Sequence, residues 1–369
     1  MVTDTAYRRT LKRVDWYLVL TTLLLTIAGI AAIYSAVQSE NVAVFQKHLV
    51  WVAMGMVGAI ACALVPPRFW VTHWRTLYLL AVAMLVVVLF AGVHIGGAQR
   101  WMNIGPVQFQ PSELAKLLLI LSLARLLAYR SSQSGPVATF WLSLLHIAVP
   151  AALVFKQPDL GTALVFVGIW FGMCFIAGLP LKMLALWLAA VAALFGIAWE
   201  HGIIRDYQKD RVVAFLDPSE DPQGAGYQVI QARLAVGSGQ LTGRGYLQGR
   251  QKEGAWIPVQ ETDFIFTVVA EEGGFVGSGI LLGAYGLLMY RLWRAMVAAR
   301  SVLYRLIVAG VLSMWAYHVI VNVAMVIGLF PVVGVPLPLV SYGGTSTLVA
   351  FCSLGLVAGI RGREEEIVF

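Results

Sequence analysis

Apolar runs of about 20 residues, the length that crosses a hydrocarbon core, recur along this chain between short polar breaks. They fall near 14–37, 46–65, 74–93, 113–130, 139–156, 160–178 and 181–199, and after a longer polar stretch near 264–293, 301–328 and 340–360. The pattern predicts an all-α polytopic membrane protein with about ten transmembrane helices. Residues 1–369 form a single membrane domain, and residues 200–263 form its large extracytoplasmic loop between spans seven and eight. The first span has no small-residue cleavage site after it and reads as a retained anchor.

An even number of spans puts both termini on one side, and the basic residues say which. Arg8, Arg9, Lys12 and Arg13 precede the first span, and Arg68, Arg75, Arg130, Lys182, Arg291, Arg294 and Arg361 sit in loops of the same side. The opposite short loops hold little beyond Arg100 and the border residues Lys47 and Lys156, so the termini are expected in the cytoplasm. The 200–263 segment carries seven basic residues, but loops of that length escape the rule. In a chain that is 59% hydrophobic, a net charge of +7 reads as topology and contact with anionic membrane lipid, with no nucleic acid partner. Cys62, Cys174 and Cys352 are scattered through apolar runs and read as packing residues.

Candidate chemistry gathers on the outer side. In WIPVQETDFIFTVVAEEGG the polar loop runs into the eighth span, and Asp263 stands at the junction. Glu271 and Glu272 lie about 12 Å further along the same helix, at a depth where an unpaired carboxylate is costly. Between spans three and four, IGGAQRWMNIGPVQFQPSELAK is broken by Gly96, Gly97 and Gly105 and is expected to lie against the membrane surface. Pro111 or Ser112 begins the fourth span, with Glu113 in its first turn and Lys116 three residues on. Two readings of Glu113 and Lys116 stay open: a packing ion pair, or a pair that presents Lys116, with Arg100, to a lipid-linked phosphate. Asp159, after Pro158, reads either as a helix cap or as part of the same rim.

In the large loop, GYQVIQARLAVG offers Val229, Ile230, Leu234 and Val236 to the membrane, and Arg244, Arg250 and Lys252 follow among glycines. His318 and Asn322 are spaced for interhelical hydrogen bonds, Gly273 and Gly277 for close helix packing, and SYGGTS for a close backbone approach. No phosphate-loop, dinucleotide, zinc or Ser/His/Asp signature occurs. A carboxylate beside cations at a membrane surface fits a general base that deprotonates a sugar hydroxyl while a lipid diphosphate departs, without a nucleotide. A divalent cation, Mg²⁺ or Mn²⁺, at Asp263 fits the same chemistry. A precursor transporter and a noncatalytic scaffold are the alternatives, and the absence of a matching inner set of charges or an inverted repeat argues against transport.

The blocks GAQRW, FQPSELAK, QPDLGTA, FLDP with GYQVIQA, ETDFIF with EEGGFVG, and PLPLVSYGGTS occur in the order of the shape, elongation, division and sporulation (SEDS) family, which the chain resembles from about residue 95 to 346. Short tails and VVGVPLPLVSYGG make it more similar to the elongation member than to the division member. The resemblance implies a peptidoglycan glycosyltransferase in the bacterial inner membrane that polymerises lipid II at the outer face, supports cell shape and works with a class B penicillin-binding protein. It implies that Asp263 is the essential acid. It assigns Arg100 and Lys116 to phosphate binding or the active conformation and Glu113 to holding Lys116, with Asp159 and Ser341 as lesser candidates. Thr345 stands where many members have Ser, and Gln240 where Gly is frequent; neither is expected to touch the chemistry.

Overall fold

The computed structural model describes residues 15–38, 42–95, 98–105, 107–130, 133, 135–202, 206–219, 224–249, 257 and 259–363. Arg8, Arg9, Lys12, Arg13, Gly96, Gly97, Arg250 and Lys252 fall outside them. The described helices are α1 (Trp16–Val37), α2 (Val42–Leu64), α3 (Pro67–Thr72), α4 (Trp74–Ala91), α5 (Pro111–Arg130), α6 (Pro136–Lys156), α7 (Leu160–Ile176), α8 (Leu181–Glu200), α9 (Asp206–Leu216), α10 (Ala225–Ser238), α11 (Ile265–Ala298), α12 (Val302–Val326) and α13 (Gly344–Arg363). Among the described residues, eight of these are long and apolar enough to cross a membrane. Helix α7, at 17 residues, and the more charged α5 occupy the other two predicted windows.

The centre of the bundle is where helices bury more than one face. Leu118, Leu119, Ile120 and Leu123 of α5 meet Phe166 and Trp170 of α7 and Ile307, Val308 and Trp315 of α12 in one apolar core. Helices α2 and α13 pack along each other because Gly355 and Gly359 admit the backbone of Ala59 and Ala63, where a Cβ would sit 2.1 and 2.7 Å from their carbonyls. Helix α8 stays peripheral, with 6% of its apolar window buried.

Between the third and fourth predicted spans, β1 (Val93–Ile95), β2 (Ala98–Ile104) and β3 (Val107–Phe109) form an antiparallel sheet in the order β1-β2-β3, with Gly105 (φ +62) in the tight β2–β3 turn. Two expectations need correction. Helix α10 packs on α11 and buries Val229, Ala232 and Ala235 while leaving Leu234 54% exposed, so Val229 does not face lipid. Gly273 and Gly277 make no close helix contact; the residue that matters is Gly274, whose φ of 63° and ψ of −160° break α11 into two helices.

That break is filled by the segment after α10. Arg244 N and Gly245 N donate to the carbonyls of Glu271 and Glu272, and Phe275 N and Val276 N donate to those of Gln240 and Leu241. Backbone groups freed inside an apolar bundle are paired again in this way. The insertion is tight enough to need glycine: a Cβ on Gly239 would lie 1.9 Å from the Ala270 carbonyl oxygen, and one on Gly243 (φ +79) 2.1 Å from that of Glu272. Gln240 takes φ +50 at the position where the SEDS resemblance finds glycine frequent. The acids at the break are paired too: Glu272 accepts from Ser35 Oγ at 2.5 Å and Gly249 N at 3.4 Å, and Glu271 lies 3.6 Å from Arg244.

At the far end of α11, Asp15 caps α1, takes a two-pronged bond from Arg291 (2.7 and 2.8 Å) and pairs with Arg361, tying α1, α11 and α13. Two of the arginines that mark topology therefore also hold helices together.

Gly243→Ala places a methyl group against backbone in a left-handed conformation, which costs on the order of 1–3 kcal/mol. The expected outcome is a clearly lower melting temperature of the detergent-purified protein than for Gly237→Ala, whose Cβ meets nothing within 4 Å.

Candidate functional site

Four helices, α5, α7, α11 and α13, begin at the same end of the bundle, beside the β-sheet. The sequence sets each start: Pro111 in the first turn of α5, Asp159 as the cap of α7, the polar ETD before α11, and the glycines of SYGG before α13. Their aligned dipoles favour negative charge at this end, where Asp159 caps α7 and Glu113 lies in the first turn of α5.

Asp263 stands half-buried just ahead of α11, next to the loop that joins α12 to α13. A Cβ on Gly334 (φ +72) would lie 3.1 Å from Asp263 Oδ2, so glycine lets that loop wall the carboxylate. Asn322 Nδ2 donates to the Asp263 carbonyl at 2.8 Å and to the Val335 carbonyl at 2.7 Å, pinning both strands of the wall to α12. Tyr342 N donates to the Glu261 carbonyl at 2.7 Å and closes the other side. Burial pushes the Asp263 carboxyl up to about 6; Arg100 pulls it down, Asp159 pushes it up, and Arg211 and Glu261 act more weakly in opposite directions.

Arg100, on β2, is 31% exposed and lies 3.8 Å from Asp159. Its Nε is buried and without a partner. Asp159 itself is occupied: its oxygens accept from Thr162 N at 3.1 Å, Thr162 Oγ1 at 2.9 Å and Gln110 Nε2 at 3.2 Å. It is both the helix cap and the counter-charge of Arg100, so the two readings of Asp159 are one arrangement.

Lys116 is different. It is 1% exposed, and its Nζ is held by Glu113 Oε1 at 2.7 Å and His318 Nε2 at 3.0 Å. The cavity against these three side chains measures about 20 Å³, room for about one water and not for a phosphate headgroup. Of the two roles considered for Lys116, contact with a phosphate is therefore corrected to an internal structural one, with Glu113 as its partner. Ser341 also faces inward: buried, its Oγ accepts from Leu337 N at 2.7 Å and shapes the loop.

Several residues at the site carried no signal in the sequence. Gln110 bonds Asp159 and donates its N–H to Thr345 Oγ1 at 3.0 Å, so Thr345, expected to be uninvolved, frames the site. Arg211 of α9 acts on Asp263 from within the large loop. The only hint was its place at the start of an apolar run in DRVVAFLDP. A larger apolar cavity of about 340 Å³ runs between α1 and α11, reaches Glu272 and Tyr246, and does not include Asp263. Among the described residues no group of three or more His, Cys, Asp or Glu side chains converges as a metal cage. Asp263 alone supplies one carboxylate, which suits an ion that keeps its waters and shares substrate phosphates.

A bundle of apolar helices with a half-buried carboxylate walled by irregular backbone at one end defines a polytopic membrane protein. Comparison makes this specific. The family model described as cell cycle protein, covering FtsW, RodA and SpoVE, matches residues 13–366, and the chain belongs to that family. It is 39% identical over 347 residues to the peptidoglycan glycosyltransferase MrdB of Escherichia coli K12, covering 94% of this chain and 93% of that protein. It is 32% identical over 425 residues to the peptidoglycan glycosyltransferase RodA of Treponema pallidum, covering 95% and 98%. Among solved structures, a chain of a peptidoglycan synthase complex that coordinates polymerization and crosslinking superposes with a TM-score of 0.82 at 35% identity, covering 95% of this chain and 98% of that one. The rod-shape-determining protein RodA of Thermus thermophilus superposes at 0.73 and 31%, covering 95% and 97%.

Arg100 is the larger of the two cationic influences on Asp263. Arg100→Gln is expected to raise the titration midpoint of the Asp263 carboxyl above about 6, read by infrared difference spectroscopy of the isotope-labelled protein.

Proposed function

We propose that this protein is a peptidoglycan glycosyltransferase that polymerises lipid II into glycan strands, and that Asp263 is its general base. The observation that carries the reading is the half-buried carboxylate of Asp263, raised in basicity by burial and under the influence of Arg100, just ahead of a helix start. Ionised Asp263 takes the proton of an acceptor sugar hydroxyl as that oxygen bonds to the anomeric carbon of the donor. The bond from that carbon to the diphosphate oxygen breaks, and the polyprenyl diphosphate leaves with the electron pair. Arg100, Arg211 and the helix dipoles take up the charge that develops on it. A divalent cation held by Asp263 would neutralise part of the same charge. The donor is already activated through its diphosphate, so no nucleotide enters.

The site lies at the end of the bundle opposite Arg291 and Arg361. The excess of Lys and Arg at that far end supports cytoplasmic termini and an active site on the extracytoplasmic face. The relation to a synthase complex that couples polymerization to crosslinking supports a class B penicillin-binding protein as partner.

The test is polymerisation of lipid II by the purified protein without nucleotide, with and without a chelator, followed by separation of the glycan products. Asp263→Asn is expected to reduce polymer at least 100-fold, in the range of a lost general base, while leaving the protein folded. A protonated carboxyl takes no proton, so the wild-type rate is expected to rise with pH through about 6 and then level. Polymer from Asp263→Asn at the wild-type rate overturns the base assignment. Precursor moved across sealed vesicles without polymer overturns the enzyme in favour of a transporter.

A further inference from the structure

The loop between α12 and α13 contains Pro331, Pro336 and Pro338. Proline has no N–H, so such a segment makes few hydrogen bonds with itself, and its carbonyls need donors from elsewhere. Three side chains provide them in succession: Asn322 to Val335 O at 2.7 Å, His318 to Pro336 O at 3.0 Å and Tyr285 to Pro338 O at 2.5 Å. All three anchors are buried.

His318 differs from the other two because its second nitrogen is also engaged. A carbonyl only accepts, so the nitrogen facing Pro336, Nδ1, carries the proton. The Lys116 ammonium only donates, so Nε2, 3.0 Å away, offers its lone pair. The partners therefore fix one neutral tautomer, and Glu113 at 2.7 Å holds the ammonium in place. A continuous line of bonds runs from the first turn of α5 through α12 into the loop, two residues from the glycine that faces Asp263.

We infer that His318 is a positioning residue of the transferase: oriented by Lys116 and Glu113, it holds the Pro336 carbonyl and with it the Gly334–Val335 wall beside the Asp263 carboxylate. This gives the Glu113–Lys116 pair its function, which is to set the ring rather than to bind phosphate. The inference rests on Asp263 as the base. Leucine at 318 keeps bulk but loses both bonds. Glutamine carries one donor and one acceptor side by side, as the ring does, and is able to serve both partners.

The experiment measures kcat, KM and the rate–pH profile of His318→Leu and His318→Gln on lipid II, scaled to folded protein by melting and gel filtration. His318→Leu is expected to lose at least tenfold in kcat with KM within threefold. Its acid limb is expected to move down from about 6 as water reaches Asp263. His318→Gln is expected to recover most of kcat and return the limb. A residue that only stabilises the bundle would change the amount of folded protein and leave the limb in place. An unmoved limb, wild-type kcat in His318→Leu, or no recovery in His318→Gln overturns the inference. If His318→Leu does not accumulate, His318→Asn replaces it: its short amide keeps a donor near Pro336 but does not reach Lys116, and kcat equal to that of His318→Gln overturns the inference. Asp263→Asn separates the two levels. If that variant is active, the base assignment fails; if it is inactive and His318→Leu is fully active, only the role of His318 fails.

Discussion

A backbone segment that carries carbonyls but few N–H groups, placed at the end of an apolar helix bundle, is the constraint around which this site is built. Unpaired carbonyls there are expensive, and the segment from Gly334 to Pro338 has little to offer them internally. The amide of Asn322 pairs Val335 and Asp263 together, so one side chain joins the irregular loop to the residue that opens α11. His318 and Tyr285 continue the row. The wall at Gly334 that faces the Asp263 carboxylate has no side chain there, and its carbonyls tie it to these anchors.

A second irregularity obeys the same rule deeper in the bundle. The break at Gly274 leaves a short half-helix between itself and Asp263, and that piece is not held by helix continuity. It is held by two backbone bonds, from Arg244 N and Gly245 N to the carbonyls of Glu271 and Glu272, and by Glu272 reaching Ser35 on α1, while Phe275 and Val276 beyond the break bond Gln240 and Leu241. Glu271 and Glu272, which look from the sequence like functional acids, are accounted for as partners within this joint. Their charges secure the half-helix that bears Asp263 and take no direct part at the site.

The spans could be read from hydrophobic runs because burial in lipid requires length and little else. The start of α5 at Pro111, the Glu113–Lys116 pair and the cap at Asp159 also followed from local rules, since each involves groups three or four residues apart. What could not be read was long-range pairing. The sheet from Val93 to Phe109 depends on a packing surface for a glycine-rich stretch whose strands are short. The break at Gly274 depends on a segment more than 25 residues earlier, and Gly273 beside it was an equally good candidate. The inward turn of Lys116 depends on His318, 202 positions away. The roles of Arg211 and Gln110 likewise depend on partners far away in the chain, Asp263 and Asp159.

The electrostatics of the site join these threads. A carboxylate ringed by Arg100 and Arg211 in water would be a poor base, because cations hold its proton affinity down. Here burial outweighs them, and the like charge of Asp159 adds to its effect. Under the proposed reaction, a diphosphate bound beside Asp263 would offset the pull of Arg100 and Arg211 and strengthen the carboxylate as a base. The carbonyl-anchored wall at Gly334 contributes to the burial of Asp263. The backbone bonds that order the loop and the basicity that suits the carboxylate to proton transfer are thus one property of the fold, and a change that loosens the first weakens the second.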